Sequence, residues 1–201
     1  MIVAGLTGSI AMGKSETAKM FAARGIPVFD SDAAVHGLYG KGGAAVAPVA
    51  ALAPEAIVAG AVDRSRLARL VQEDPALLPK IEAAVHPLVK SCQQRFLAEA
   101  SAGGAEIAVL DIPLLFETGR ERDVDVVLVV SAGAALQRER ALKRPGMTPE
   151  KLDFILSRQV SDDVKRARAD YVIDTSVSLA ETARAVDDVV AALKERAKAK
   201  K

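Results

Sequence analysis

Short β-branched runs alternate along the chain with longer stripes of apolar residues at helical spacing, and that alternation predicts a parallel sheet crossed by helices. Five strands are expected, at residues 2–6, 27–30, 107–111, 124–130 and 171–174. Val126-Val127-Leu128-Val129-Val130 is apolar at every position, as a central strand covered on both faces should be. Residues 31–106 contain no convincing strand and far exceed what a crossover needs, so they read as an inserted helical subdomain. Within it Asp63 precedes a helix over 64–72, and Asp74-Pro75 marks the start of another that carries Leu77, Leu78, Ile81, Leu88 and Phe96. A helical pair follows the fourth strand: residues 134–144, a hinge-like break at Pro145-Gly146, then a helix opened by Thr148-Pro149 with Leu152, Ile155 and Leu156 inward. Residues 180–194 form a last amphipathic helix, and the lysine-rich tail from Lys198 is expected to be frayed and solvated.

Composition narrows the function. The 201 residues include 27 Lys+Arg against 26 Asp+Glu and a single cysteine, Cys92. One cysteine excludes an internal disulfide framework and a multi-cysteine zinc site, and it fits a reducing compartment. Balanced charge argues against a nucleic-acid backbone as partner. The N-terminus lacks a basic n-region, and Pro48, Pro54, Glu55 and Gly60 interrupt the alanine- and valine-rich stretch 44–62, so neither a signal peptide nor a membrane span is expected. The cytoplasm is the expected compartment.

Gly8-Ser9-Ile10-Ala11-Met12-Gly13-Lys14-Ser15 fits G-x-x-x-x-G-K-S/T between the first strand and a helical segment at 16–24. Glycines let backbone N–H groups turn inward around phosphate oxygens, and the following helix presents its unpaired N–H groups. Gly8, Ala11, Met12, Gly13, Lys14, Ser15 and Glu16 are therefore candidate nucleotide-binding residues, with Lys14 neutralising the β- and γ-phosphates and the Ser15 hydroxyl on Mg²⁺. Ala11 occupies a sharp turn, where a Cβ is expected to require negative φ; were it strained, Ala11→Gly should raise ATP affinity and thermal stability together.

Other candidates cluster at strand ends, where ligands bind in open α/β sheets. Asp32, in Asp30-Ser31-Asp32, reads as a general base or a ligand of the Mg²⁺ shell, whereas Asp30 reads equally as a site residue or a helix cap. Asp111 resembles a Walker B carboxylate. Glu117 faces an acceptor site or pairs with Arg120. Residues 134–168 carry nine Lys+Arg against five acids. Arg140 and Arg144, four apart, would present adjacent guanidiniums on a helix and could clamp a triphosphate. His86-Pro87 reads more readily as a kink or packing feature than as a ligand. The chain contains no asparagine, hence no N-K-x-D guanine-reading motif, so a small-molecule kinase fits better than a GTPase switch.

The blocks Gly5-Leu6-Thr7-Gly8 with Gly13-Lys14-Ser15, Asp30-Ser31-Asp32, His86-Pro87-Leu88, Pro113-Leu114-Leu115-Phe116-Glu117 and Ala169-Asp170-Tyr171-Val172-Ile173-Asp174 resemble, in order, those of the dephospho-coenzyme A kinase family. The resemblance implies an α/β P-loop NTPase, an adenylate-kinase-like five-stranded parallel sheet in one domain over 1–201. Its core would cover about 1–31, 105–133 and 169–201, with a helical acceptor-binding insertion at about 32–104 and a lid at about 134–168. It implies ATP- and Mg²⁺-dependent phosphorylation of the ribose 3′-hydroxyl of dephospho-CoA, the last step of CoA synthesis. Asp32 matches the base, Lys14 and Ser15 the phosphate and metal positions, and Arg140 a lid arginine. His86, Pro113 and Glu117 fall in blocks lining the acceptor side. Ala11, at a position usually Gly, and Thr175, at one often Asn, depart from the pattern. A nucleoside or nucleoside-monophosphate kinase is the nearest rival, and a nucleic-acid-associated P-loop ATPase a more distant one.

Overall fold

The structure, a computed structural model, describes residues 1–200. Along the chain, β1 (Ile2–Thr7) leads through the glycine loop into α1 (Lys14–Ala22), followed by β2 (Val28–Asp30). Next come α2 (Ser31–Tyr39), α3 (Val46–Leu52), the short β3 (Ile57–Val58) and β4 (Ala61–Val62), α4 (Arg64–Glu73) and the long α5 (Leu77–Ala102). The remainder is β5 (Ile107–Asp111), β6 (Val126–Ser131), α6 (Ala134–Leu142), α7 (Pro149–Ser157), α8 (Asp162–Ala167), β7 (Tyr171–Asp174) and α9 (Leu179–Ala199). Among the described residues two compact units result, 1–29 with 100–200, and 30–99.

The five expected strands form one parallel sheet in the order β2-β5-β1-β6-β7. Ala4 of β1 lies opposite Val109 of β5 on one side and Val126 of β6 on the other. Both neighbours are buried at every position, as their uninterrupted apolar sequences require. Leu6 of β1, Phe21 of α1, Leu128 of β6, Ile173 of β7 and Leu193 of α9 are all fully buried in one core, which the strand carrying the glycine loop shares.

β6 starts two residues later than its sequence suggests. The Val3 N–H is accepted by the Asp125 carboxylate (2.9 Å) while the Asp125 N–H reaches Val3 O (2.8 Å), so a side chain does the work of a ladder carbonyl. The tail also differs from expectation. α9 continues to Ala199, and Lys200 Nζ lies 2.6 Å from Asp125. α6 stops at Leu142, where a tightened last turn bonds the Arg144 N–H to Ala141 O (3.0 Å).

In the second unit, α5 buries Leu77, Ile81, Val85, Val89 and Gln93, a stripe of four-residue steps, and runs through Pro87 without ending. Leu78 stands outside that stripe and is 42% exposed. The unit is not wholly helical: β3 and β4 pair antiparallel around Ala59 (φ 50°) and Gly60 (φ 81°). Two successive positive φ values make a two-residue I′-like turn, which Asn-Gly would advertise and Ala-Gly does not.

Partial burial pushes the Asp125 carboxyl up, but Lys200, the Val3 N–H and Arg196 outweigh it and hold the group below the ordinary aspartate range. A depressed folded value means stability present above the unfolded pKa and lost as pH falls through the folded one. Asp125→Asn should lower Tm by about 2–4 °C at pH 7, roughly 1 kcal/mol for a half-exposed charged pair. The gap from the parent should close below about pH 4. Thermal unfolding across pH checks this; a gap that stays constant to about pH 3 would contradict it.

Candidate functional site

The glycine loop is shaped by what lies behind it. A Cβ on Gly8 would sit 2.4 Å from Val130 Cγ2 and 2.9 Å from Val130 O, so only glycine lets the loop leave β1 against β6. Gly13 has φ 89° and closes the loop as the N-cap of α1, with no side-chain cap hydrogen bond. The first-turn N–H groups of α1 are thus left for an external anion, which the helix dipole also favours. Contrary to the sequence expectation, Ala11 sits at φ 63°. Its Cβ is retained because it is buried with Ala141 and Leu152 in a small apolar cluster.

The loop carbonyls are held from outside. Thr175 Oγ1 donates to Met12 O (2.7 Å) and can also reach Ser131 O (3.1 Å), tying the loop to the ends of β6 and β7. Gln137 Nε2 donates to Ile10 O (2.9 Å), and the Ile10 N–H donates to Gln159 Oε1 (3.2 Å). Thr175 was legible only as a departure from a family pattern, and neither glutamine carries a sequence signal. Lys14 Nζ is ion-paired with Asp111 at the end of β5, both side chains largely buried, so Asp111 orients the lysine. Glu16 pairs with Lys19 (2.7 Å) on the exposed face of α1, leaving its backbone as the part that can meet a phosphate. The Ser15 hydroxyl is exposed and unpartnered among the described residues.

Arg140 Nη2 donates to Thr175 O (2.8 Å), which brings one guanidinium to the loop's own anchor. Arg144 is exposed just past the end of α6, so the pair is not the adjacent helical couple expected from its spacing. The basic surplus of 134–168 is also partly spent internally. Arg138 pairs with Asp153 (2.7 Å), Lys143 with Glu139 (2.5 Å) and Arg168 with Glu121 (2.5 Å). Lys165, counted with that surface, is fully buried, 2.8 Å from Glu117 Oε1 but off the hydrogen-bond direction. The same Oε1 accepts the Val160 N–H (2.9 Å), while Glu117 Oε2 is buried without a partner among the described residues. Pro113 O accepts from Thr7 Oγ1 (3.2 Å), fixing the start of the Pro113–Glu117 block at the β1 end.

In the second unit Asp30 is the cap of α2, its carboxylate accepting the Ala33 N–H (2.9 Å). Asp32, in the first turn, is exposed and has no hydrogen-bonding or ionic partner among the described residues. A cavity of about 480 Å³ opens between α2, α4 and α5. Leu67, Val71, Leu78, Ile81, Val85 and Val89 give it an apolar wall, and Tyr39, Arg64 and His86 supply polar groups. His86 is exposed on α5, which continues through Pro87, and it lines this cavity. Burial raises the Tyr39 hydroxyl above the ordinary tyrosine range, opposed by Arg64, so a neutral phenol stands beside a cation.

Comparison with known proteins identifies the frame around this geometry. The dephospho-CoA kinase family model matches residues 1–181. The chain belongs to the dephospho-CoA kinase family. A dephospho-CoA kinase from Rhizobium etli is 53% identical over 196 residues, 98% of this chain and 96% of that one. The crystal structure of TT1252 from Thermus thermophilus superposes with TM-score 0.81 at 36% identity, covering 96% of this chain and 97% of that one. The dephospho-CoA kinase from Campylobacter jejuni, at 19% identity, shares the fold with TM-score 0.73 over 96% of this chain and 97% of its own. The ordered blocks read from the sequence therefore belong to a real member of the dephospho-CoA kinase family, Ala11 and Thr175 included.

Ala11 offers a direct test of the loop. A left-handed alanine costs about 1–2 kcal/mol. Its buried methyl contributes about 0.8 kcal/mol, and glycine would free the unfolded chain by about 0.4–1 kcal/mol. The terms cancel, so Ala11→Gly should leave Tm within about 2 °C rather than raise it. Ala11→Val, β-branched at positive φ, should lower Tm by about 5–10 °C. Calorimetry of both variants checks the balance, and equal effects of Gly and Val would show that φ is not the controlling feature.

Proposed function

We propose that the chain transfers the γ-phosphoryl group of ATP to the ribose 3′-hydroxyl of dephospho-CoA, giving CoA and ADP. The observation carrying this reading is a glycine-bent anion cradle with its catalytic lysine already oriented, in a member of the dephospho-CoA kinase family. Amides of Gly13, Lys14, Ser15 and Glu16 and the Lys14 ammonium hold the β- and γ-phosphates. Arg140 and Arg144 neutralise charge that develops on the transferring group. Asp32 receives the proton of the attacking 3′-hydroxyl as the new O–P bond forms and the bond to the β-phosphate oxygen breaks.

Mg²⁺ fits the donors present. Beside the cradle the exposed Ser15 hydroxyl has no partner among the described residues, and this ion takes one or two protein oxygens alongside phosphates and waters; Asp32 is the carboxylate proposed for its shell. When bound, Mg²⁺ supplies charge neutralisation to the phosphates. The acceptor is proposed to occupy the cavity of the second unit, whose apolar wall suits the pantetheine arm while Arg64 and His86 suit its diphosphate. Pro113 and Glu117, in the block that resembles the family's acceptor-side block, are proposed as acceptor-contacting residues. We place the enzyme in the cytoplasm, whose reducing conditions suit a chain with a single cysteine.

ADP release should be stimulated by dephospho-CoA and not by nucleosides or nucleoside monophosphates, with CoA identified by mass spectrometry. Stimulation by a nucleoside monophosphate alone would instead point to the rival kinase class. Asp32→Asn should reduce kcat by roughly 10²–10⁴-fold while leaving ATP affinity within about twofold. Near-parental turnover would remove Asp32 from the proton transfer.

A further inference from the structure

The phosphate cradle has one residue gripped on both sides. The Ile10 N–H is taken by Gln159 Oε1 (3.2 Å) and the Ile10 carbonyl by Gln137 Nε2 (2.9 Å). An amide side chain can present either end, but here a main-chain donor can meet only oxygen and a main-chain acceptor only nitrogen, so the polarity of both glutamines is fixed by chemistry. Gln137 is 6% exposed, which leaves its amide little water to fall back on. Ile10 immediately precedes the left-handed Ala11, so the peptides being gripped are the ones that launch the turn.

The Gln159 arm is itself fixed. Its neighbour Val160 donates its N–H to Glu117 Oε1, and that oxygen is 2.8 Å from the buried Lys165 ammonium. Glu117 and Lys165 thus set the main chain from which Gln159 reaches the loop. A carbonyl swung toward a bound phosphate would repel it, and a carbonyl held by a donor on the far side cannot swing.

We propose that Gln137 and Gln159 are positioning residues that clamp the Ile10 peptide, so that the loop meets ATP with its amides already oriented. The clamp rests on the ATP-binding reading of the loop and acts on the nucleotide side alone. Its loss should therefore appear in KM for ATP and not in KM for dephospho-CoA. Donor and acceptor identity should also matter: Gln159→Glu keeps an acceptor for the Ile10 N–H, whereas Gln137→Glu replaces the donor with a second acceptor facing a carbonyl.

The test combines steady-state kinetics with calorimetric binding of a non-hydrolysable ATP analogue in Mg²⁺, no acceptor present. Gln159→Met and Gln137→Met should each weaken ATP, in KM and in analogue Kd, by roughly 5- to 10-fold, the scale of one neutral hydrogen bond. KM for dephospho-CoA should stay within twofold. Gln159→Glu should recover parental ATP affinity, and Gln137→Glu should be at least as weak as Gln137→Met. Should Gln137→Glu fail to fold, the two Met variants and Gln159→Glu decide the matter. Parental analogue affinity in Gln159→Met, or equal losses for both substrates, overturns the clamp. Failure of the parent itself to bind the analogue overturns the underlying reading instead.

Discussion

A loop that turns its N–H groups toward an anion leaves its carbonyls facing the protein, and each buried carbonyl must find a donor there. This requirement organises the glycine loop. Thr175 supplies a hydroxyl to Met12 O, Gln137 an amide to Ile10 O, and the Met12 and Thr17 N–H groups serve Ser9 O and Gly13 O. The two side-chain donors come from segments far along the chain, and those segments are in place only because β6 and β7 pair in parallel register beside β1. Sheet order and phosphate cradle are in this sense one construction.

The same requirement explains why a buried ion pair stands nearby. Lys165 and Glu117 leave one carboxylate oxygen buried without a partner among the described residues, and the ammonium meets its acid off-axis. An imperfectly satisfied buried pair is a poor source of net stability, because desolvation offsets the attraction. Its use here is geometric: Glu117 Oε1 also fixes Val160, next to the glutamine that holds Ile10. Charge is placed where a main chain must not drift.

Much of this architecture was legible in the sequence. Unbroken β-branched runs announced the central strands because both faces are covered, and the glycine motif announced the cradle because its spacing and its strand-to-helix context coincide. The losses have local causes. The β3–β4 turn uses Ala59 where a turn-forming Asn would be expected, and the six-residue α8 is too short to show a helical period. Lys165 read as surface because residue type dominates burial expectations, while its actual burial depends on Glu117, 48 positions earlier. Gln137 and Gln159 have no signature at all, since their role is defined by what the loop lacks.

Ala11 shows how the pieces constrain one another. Its left-handed backbone would favour glycine if the loop were isolated, yet its methyl is shared with Ala141 of α6 and Leu152 of α7. The residue therefore joins the cradle to the same helical segment that carries Gln137 and Arg140. Strain in the loop is offset by packing against the elements that clamp it, so loop shape and helix position are specified together. A member of the dephospho-CoA kinase family can in this way carry alanine at the turn without abandoning the turn.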